Sequence, residues 1–124
     1  MIYLDTHAVV ALYCGETKKL SDRGRKILEE KQILISPMVV LEMEFLREIK
    51  RIEVQALDIV NALAEEIGLK ICPLPFSKII SQSLTENWTR DPFDRLIVAH
   101  ARAGKAPLLT KDGRMQDNYP QAFW

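Results

Sequence analysis

The sequence predicts an α/β domain built on a largely parallel sheet, and three observations point there. Short apolar runs of buried-strand type, IYLD and ILIS, alternate with stretches of helical character. Gly and Pro punctuate the boundaries between them. The first and last of the clear strand runs each end in an acid, as strands do when they open onto a functional rim.

Taken in order, IYLD (2–5) reads as a short strand ending in Asp5, and THAVVALYC (6–14) as a helix stopped at Gly15. ETKKLSDRGRKILEEK (16–31) is a polar, basic connection into ILIS (33–36), the second strand. Ser36 then suits an N-cap and Pro37 a first helical turn, with the helix running through MVVLEMEFLREIKR to residue 51. Residues 53–67 carry Val54, Leu57, Ile59, Val60, Leu63, Ala64 and Ile67 near helical period, and Gly68 supplies the stop. LKICPLP (69–75) gives a strand closed by prolines, and FSKIISQSLTENW (76–88) a further helix. DPFDRLIVAHARAG (91–104) is a helix ended by Gly104, APLLTKD (106–112) a strand ending in Asp112, and YPQAFW (119–124) a short edge strand.

The totals fit one domain spanning 1–124, large enough to bury a core without disulfides or a structural metal. A content of 48% hydrophobic and 27% charged residues is globular, and no apolar run is long enough for a membrane span. The N-terminus has neither the basic segment nor the cleavage site of a signal peptide, so a cytoplasmic protein is expected. Cys14 and Cys72 lie far apart and outside any CxxC, which argues against a disulfide framework or a thiolate zinc site and for two buried thiols. Seventeen basic residues balance 17 acidic ones, so nucleic-acid binding would have to rest on local patches.

The acids carry the chemistry. Asp91 suits an N-cap, Pro92 the first helical position and Asp94 the third, so capping alone accounts for that pair. Asp5 can likewise cap the helix that follows it, and Asp112 with Gly113 can form a turn. Glu42 differs, because its neighbours three and four residues away are Met38, Val39, Phe45 and Leu46. Those apolar neighbours aim its carboxylate inward, where an unpaired charge is costly, whereas Glu44 faces charge and water. If Asp5, Glu42, Asp94 and Asp112 converge, each pair about 5 Å apart repels by roughly 3 kcal/mol at an effective dielectric of 20, and a cation is needed among them. All-oxygen ligands with room for water select Mg²⁺ or Mn²⁺. His7 and His100 read as packing or hydrogen-bonding residues.

LDTH, ISPMVVLEM, RDPFDRLIVAHA and LLTKD, in that order, resemble the PIN domain, and within it the VapC-type toxins of toxin-antitoxin pairs. The resemblance spans residue 2 to about 124, with DPFDR its most specific piece. It implies a PIN-like three-layer sandwich with a central, mainly parallel sheet flanked by helices. It also implies a metal-dependent endoribonuclease whose catalytic and metal-binding acids map onto Asp5, Glu42, Asp94 and Asp112. Thr6, Ser36 and Thr110 correspond to supporting polar residues, and Asp91 to a capping or supporting acid. Trp88-Thr89 departs from relatives that carry a histidine near the motif. A VapB-like antitoxin whose Arg or Lys masks the acids, and a homodimer using a segment such as 53–67, are the partners implied. Arg47, Lys50 and Arg51, expected on one helical face beyond Glu42, are candidates for RNA binding, as is a second cluster at Lys18, Lys19, Arg23, Arg25 and Lys26. The alternative reading is a catalytically silent PIN-like module that binds RNA or protein. A phosphotransfer enzyme using Asp5 as acceptor is less well matched, since His7 stands where the second aspartate of that pattern belongs.

Overall fold

A computed structural model describes residues 1–124. Five strands, β1 (Ile2–Leu4), β2 (Ile33–Ile35), β3 (Lys70–Ile71), β4 (Leu108–Leu109) and β5 (Ala122–Phe123), form one sheet in the order β3-β2-β1-β4-β5. Every pairing is parallel, with Tyr3 opposite both Leu34 and Leu108. The three central strands are wholly buried, which is why they read as unbroken apolar runs rather than alternating ones. Burying each such Leu or Ile side chain contributes roughly 1.5–3 kcal/mol.

Seven helices flank the sheet: α1 (Thr6–Tyr13), α2 (Asp22–Glu30), α3 (Pro37–Glu48), α4 (Ala56–Ile67), α5 (Phe76–Ser83), α6 (Pro92–Ala103) and α7 (Gly113–Asn118). The chain leaves β1 toward β2 and β3 on one side and returns on the other side as β4 and β5. The winding direction therefore reverses between β1 and β4, and a crevice opens beyond the carboxyl ends of those two strands. Asp5 N–H donates to the Leu109 carbonyl at 3.2 Å, fixing the two strand ends side by side.

Local chemistry explains the helix boundaries. Ser21, Ser36, Asp91 and Asp112 each cap a helix with a side-chain oxygen, and Pro37 and Pro92 occupy first-turn positions that need no N–H. Gly68 ends α4 at φ 71°, a left-handed conformation cheap only for glycine.

Five sequence expectations need correction, the first being helix 76–88, which stops at Ser83 as α5. Segment 16–31 is not merely a polar connection but contains a short 3₁₀ turn (Thr17–Lys19) and helix α2, which rests on Gly24, Ile27 and Leu28. Helix α3 stops at Glu48, with Ile49 as C-cap and Lys50 at φ 61°. Asp112-Gly113 opens α7 rather than a simple turn. Cys14 is exposed, while Cys72 is buried as expected and shares a 3.0 Å hydrogen bond with the Tyr3 hydroxyl.

Candidate active site

Asp5, Glu42, Asp94 and Asp112 come from four separate parts of the chain and line one cleft at the β1/β4 crevice. The cleft measures about 350 Å³, and Thr6, His7, Asp91, Lys111 and Met115 complete its wall. Three acids of the cleft wall, Asp5, Asp91 and Asp112, also cap helices. Asp5 Oδ1 accepts from Ala8 N at 2.8 Å, Asp91 Oδ1 from Phe93 N at 2.8 Å, and Asp112 Oδ1 from Met115 N at 2.9 Å. Three helices thus begin at this rim, and each capping carboxylate is oriented by the amides it caps.

The threonines tie the acids together. Thr110 donates its hydroxyl proton to Asp5 Oδ2 and accepts from Asp112 N at 3.0 Å, so one buried side chain links the ends of β1 and β4. Thr6 donates to Glu42 Oε1 and joins α1 to α3. Ser36 is buried and accepts from Met38 N at 3.1 Å; it starts α3 and does not line the cleft. Asp91 both caps α6 and lines the cleft.

Charge is crowded here. Burial first, and then repulsion from Asp91, Asp112, Glu42 and Asp5, raises the Asp94 pKa from 3.8 to about 7. Burial also raises Glu42, against the hydrogen bond from Thr6, and raises Asp5, against those from Thr110 and Ala8. Even so, no three His, Cys, Asp or Glu side chains stand ready to hold an ion by themselves. Acids close enough to hinder one another's ionisation, yet too spread to form a closed cage, suit a hard cation that keeps part of its water shell. Their oxygen-only character fits the same ion class.

Several residues depart from expectation. His7 is exposed on the cleft wall rather than packed, whereas His100 is buried, with Nδ1 3.0 Å from the Leu96 carbonyl. Glu44 is not free in solvent: it binds Arg47 at 2.8 Å and accepts from Ala56 N at 3.4 Å. Arg47, Lys50 and Arg51 do not share a helical face, because α3 ends before the latter two. In the second basic cluster Lys19 pairs with Glu16, Arg25 with Asp22, and Arg23 lies over the Phe123 ring. Arg95, next to Asp94, donates to the Ser83 carbonyl at 3.0 Å.

Sequence reasoning also missed Glu86. Its side chain is 2% exposed and accepts from Arg102 Nε at 2.5 Å and from Trp88 Nε1 at 2.7 Å. Arg114 donates to the Trp88 carbonyl, so the segment entering the DPFD turn is pinned from both sides. Its spacing to Arg102 carries no local signal. Lys111, by contrast, sits between two residues already singled out, and that adjacency was the available clue.

Residues 2–119 match the family model described as PIN domain, and the chain belongs to that family. A comparison with curated protein sequences finds no match. Among solved structures, the chain is similar to one in the crystal structure of VapBC2 from Rickettsia felis bound to a DNA fragment from their promoter. That likeness has a TM-score of 0.66 at 18% identity and covers 99% of this chain and 96% of the other. The likeness is one of overall fold. No helix is long and apolar enough to cross a membrane.

Proposed function

We propose that this chain is a divalent-metal-dependent endoribonuclease that acts as the toxin of a VapBC-type pair. The observation that carries the reading is the convergence of Asp5, Glu42, Asp94 and Asp112 on one cleft, with Asp94 feeling the charge of the other acids. A Mg²⁺ or Mn²⁺ ion bound by these four would orient and acidify a water and offset charge on an RNA phosphodiester. Within the chain, Thr110 and the Ala8 amide hold Asp5 in place, and Thr6 holds Glu42. Burial and the neighbouring acids raise Asp94 to about 7, so binding a cation there would be coupled to loss of its proton. No side-chain nucleophile is required.

The silent-module alternative gains nothing from the site, since all four acids are present. The phosphotransfer alternative lacks its second aspartate, since His7 stands at that position.

An acidic cleft of this kind also suits a VapB-like antitoxin that inserts an Arg or Lys among the carboxylates. The likeness to a chain of VapBC2 from Rickettsia felis supports a partner of this class. Self-association is proposed through the apolar residues that α4 leaves exposed, Leu57 and Ile67; light scattering measures it. Of the basic residues Arg47, Lys50 and Arg51 proposed to meet RNA, Arg47 is already paired with Glu44 at 2.8 Å.

Purified protein incubated with RNA and Mg²⁺ or Mn²⁺ tests the activity. Cleavage abolished by EDTA and by Asp5→Asn supports it; cleavage that survives both, or no cleavage by the wild type, overturns it.

A further inference from the structure

Among the residues that line the acid cleft, one is a lysine. Lys111 sits between Thr110, which holds Asp5, and Asp112, which caps α7. An ammonium beside that many carboxylates would ordinarily settle into an ion pair. Lys111 makes none: the ion pairs of this chain are Lys19–Glu16, Arg25–Asp22, Arg47–Glu44 and Arg102–Glu86. Its Nζ instead stands 4.7 Å from the centre of the Trp124 ring. That ring is fixed in turn, because Trp124 Nε1 donates to the Lys19 carbonyl at 2.6 Å and the Ser21 hydroxyl donates to the Trp124 main-chain oxygen.

The result is an exposed cation parked against an indole at the rim of an anionic cleft, uncommitted to any acid. Two arginines of the surrounding segments lack that freedom: Arg95 is bound to the Ser83 carbonyl and Arg114 to the Trp88 carbonyl. A phosphate approaching these acids meets repulsion that a bound ion only partly removes. A flexible, strongly hydrated point charge with three donors is well suited to meet its non-bridging oxygens.

We propose that Lys111, steadied by Trp124, is the phosphate-positioning residue of this cleft: its ammonium swings from the indole onto an oxygen of the RNA phosphate presented to the acids. The proposal rests on the nuclease reading. Its structural rival is a lysine that only offsets the charge of the acids, without touching RNA.

The test compares wild type, Lys111→Met, Lys111→Gln and Lys111→Arg, with the four acids intact, for binding of a mixed-sequence single-stranded RNA in Ca²⁺, a hard cation that takes the same oxygen ligands and is used in place of Mg²⁺ to slow cleavage. Salt is varied, and circular dichroism and melting are recorded alongside. Removing one phosphate contact should weaken binding about three- to fivefold. It should also lower the slope of log affinity against log salt by about 0.7. Lys111→Arg should restore both, and for cleavage in Mg²⁺ the loss should fall mainly on KM. Folded Met and Gln variants that bind RNA with wild-type affinity and slope overturn the proposal, even if their melting temperatures shift. Cleavage by Lys111→Met at wild-type KM does the same while leaving the nuclease reading intact. Failure of the wild type to bind or cut any RNA removes the nuclease reading itself, and this inference with it.

Discussion

The hydroxyl of Thr110 donates to Asp5 across 105 positions of sequence, and it thereby locks the ends of β1 and β4 to each other at the floor of the acid cleft. Thr110 is fully buried and Asp5 nearly so. Thr110→Val keeps the shape but leaves Asp5 Oδ2 and the Asp112 amide without their partner. The expected cost is about 1–3 kcal/mol of stability. Denaturant unfolding measures it, and Thr110→Ser, which keeps the hydroxyl, should recover most of the loss.

Asp94 gives the metal-free protein a distinct dependence on pH. Its pKa is raised from 3.8 to about 7, so the folded chain holds this proton where the unfolded chain has released it. The stabilisation from the neutral carboxyl is complete below about 3.8 and is lost as pH rises through about 7. Glu42 and Asp5 are raised as well and act in the same sense. In EDTA the melting temperature should therefore decline as pH rises into the neutral range, and Asp94→Asn should flatten the decline. Saturating Mg²⁺ should remove it; a melting curve indifferent to both changes would contradict the assignment.

The strand runs and the acids at strand ends were legible in the sequence because a parallel strand buried on both faces is apolar throughout. Asp5, Glu42, Asp94 and Asp112 stand at helix starts or on an apolar helical face, which alone fits capping for three of them; their choice as one set came from the resemblance of LDTH, ISPMVVLEM, RDPFDRLIVAHA and LLTKD to the PIN domain. Helix α2 was hidden by its charged surface, with Gly24, Ile27 and Leu28 too sparse to signal a period. Helix α7 is six residues long and buries Met115 alone. Which threonine serves which acid is a tertiary fact: Thr6 meets Glu42 36 positions away. The end of α3 was overrun because IKR continues a helical composition, while the turn at Lys50 has a left-handed backbone that composition does not announce.

Glu86 anchors the entry to α6. Arg102→Met would leave a buried carboxylate without its cation, at a cost of about 3 kcal/mol, toward the lower end for such pairs because Arg102 itself is 35% exposed. Pairing it with Glu86→Leu should regain part of that loss. A double-mutant cycle by urea unfolding gives the coupling, and additive single losses would show that the contact is unimportant.

Gly104 is required by proximity, since its φ of −77° is ordinary. A Cβ there would stand 2.8 Å from both Cε2 and Oη of Tyr3, a residue 1% exposed and bonded to Cys72. Gly104→Ala should therefore cost about 1–3 kcal/mol through overpacking. Thermal melting checks it, with Gly113→Ala, where nothing lies within 4 Å, as the tolerated control.

Titration of the protein with Mn²⁺, followed by the electron paramagnetic resonance signal of the free ion, tests the central claim most directly. Saturable binding that is lost or sharply weakened by each of Asp5→Asn, Glu42→Gln, Asp94→Asn and Asp112→Asn is the predicted result. Binding indifferent to these four substitutions, or no binding by the wild type, would contradict a shared metal centre at the β1/β4 crevice.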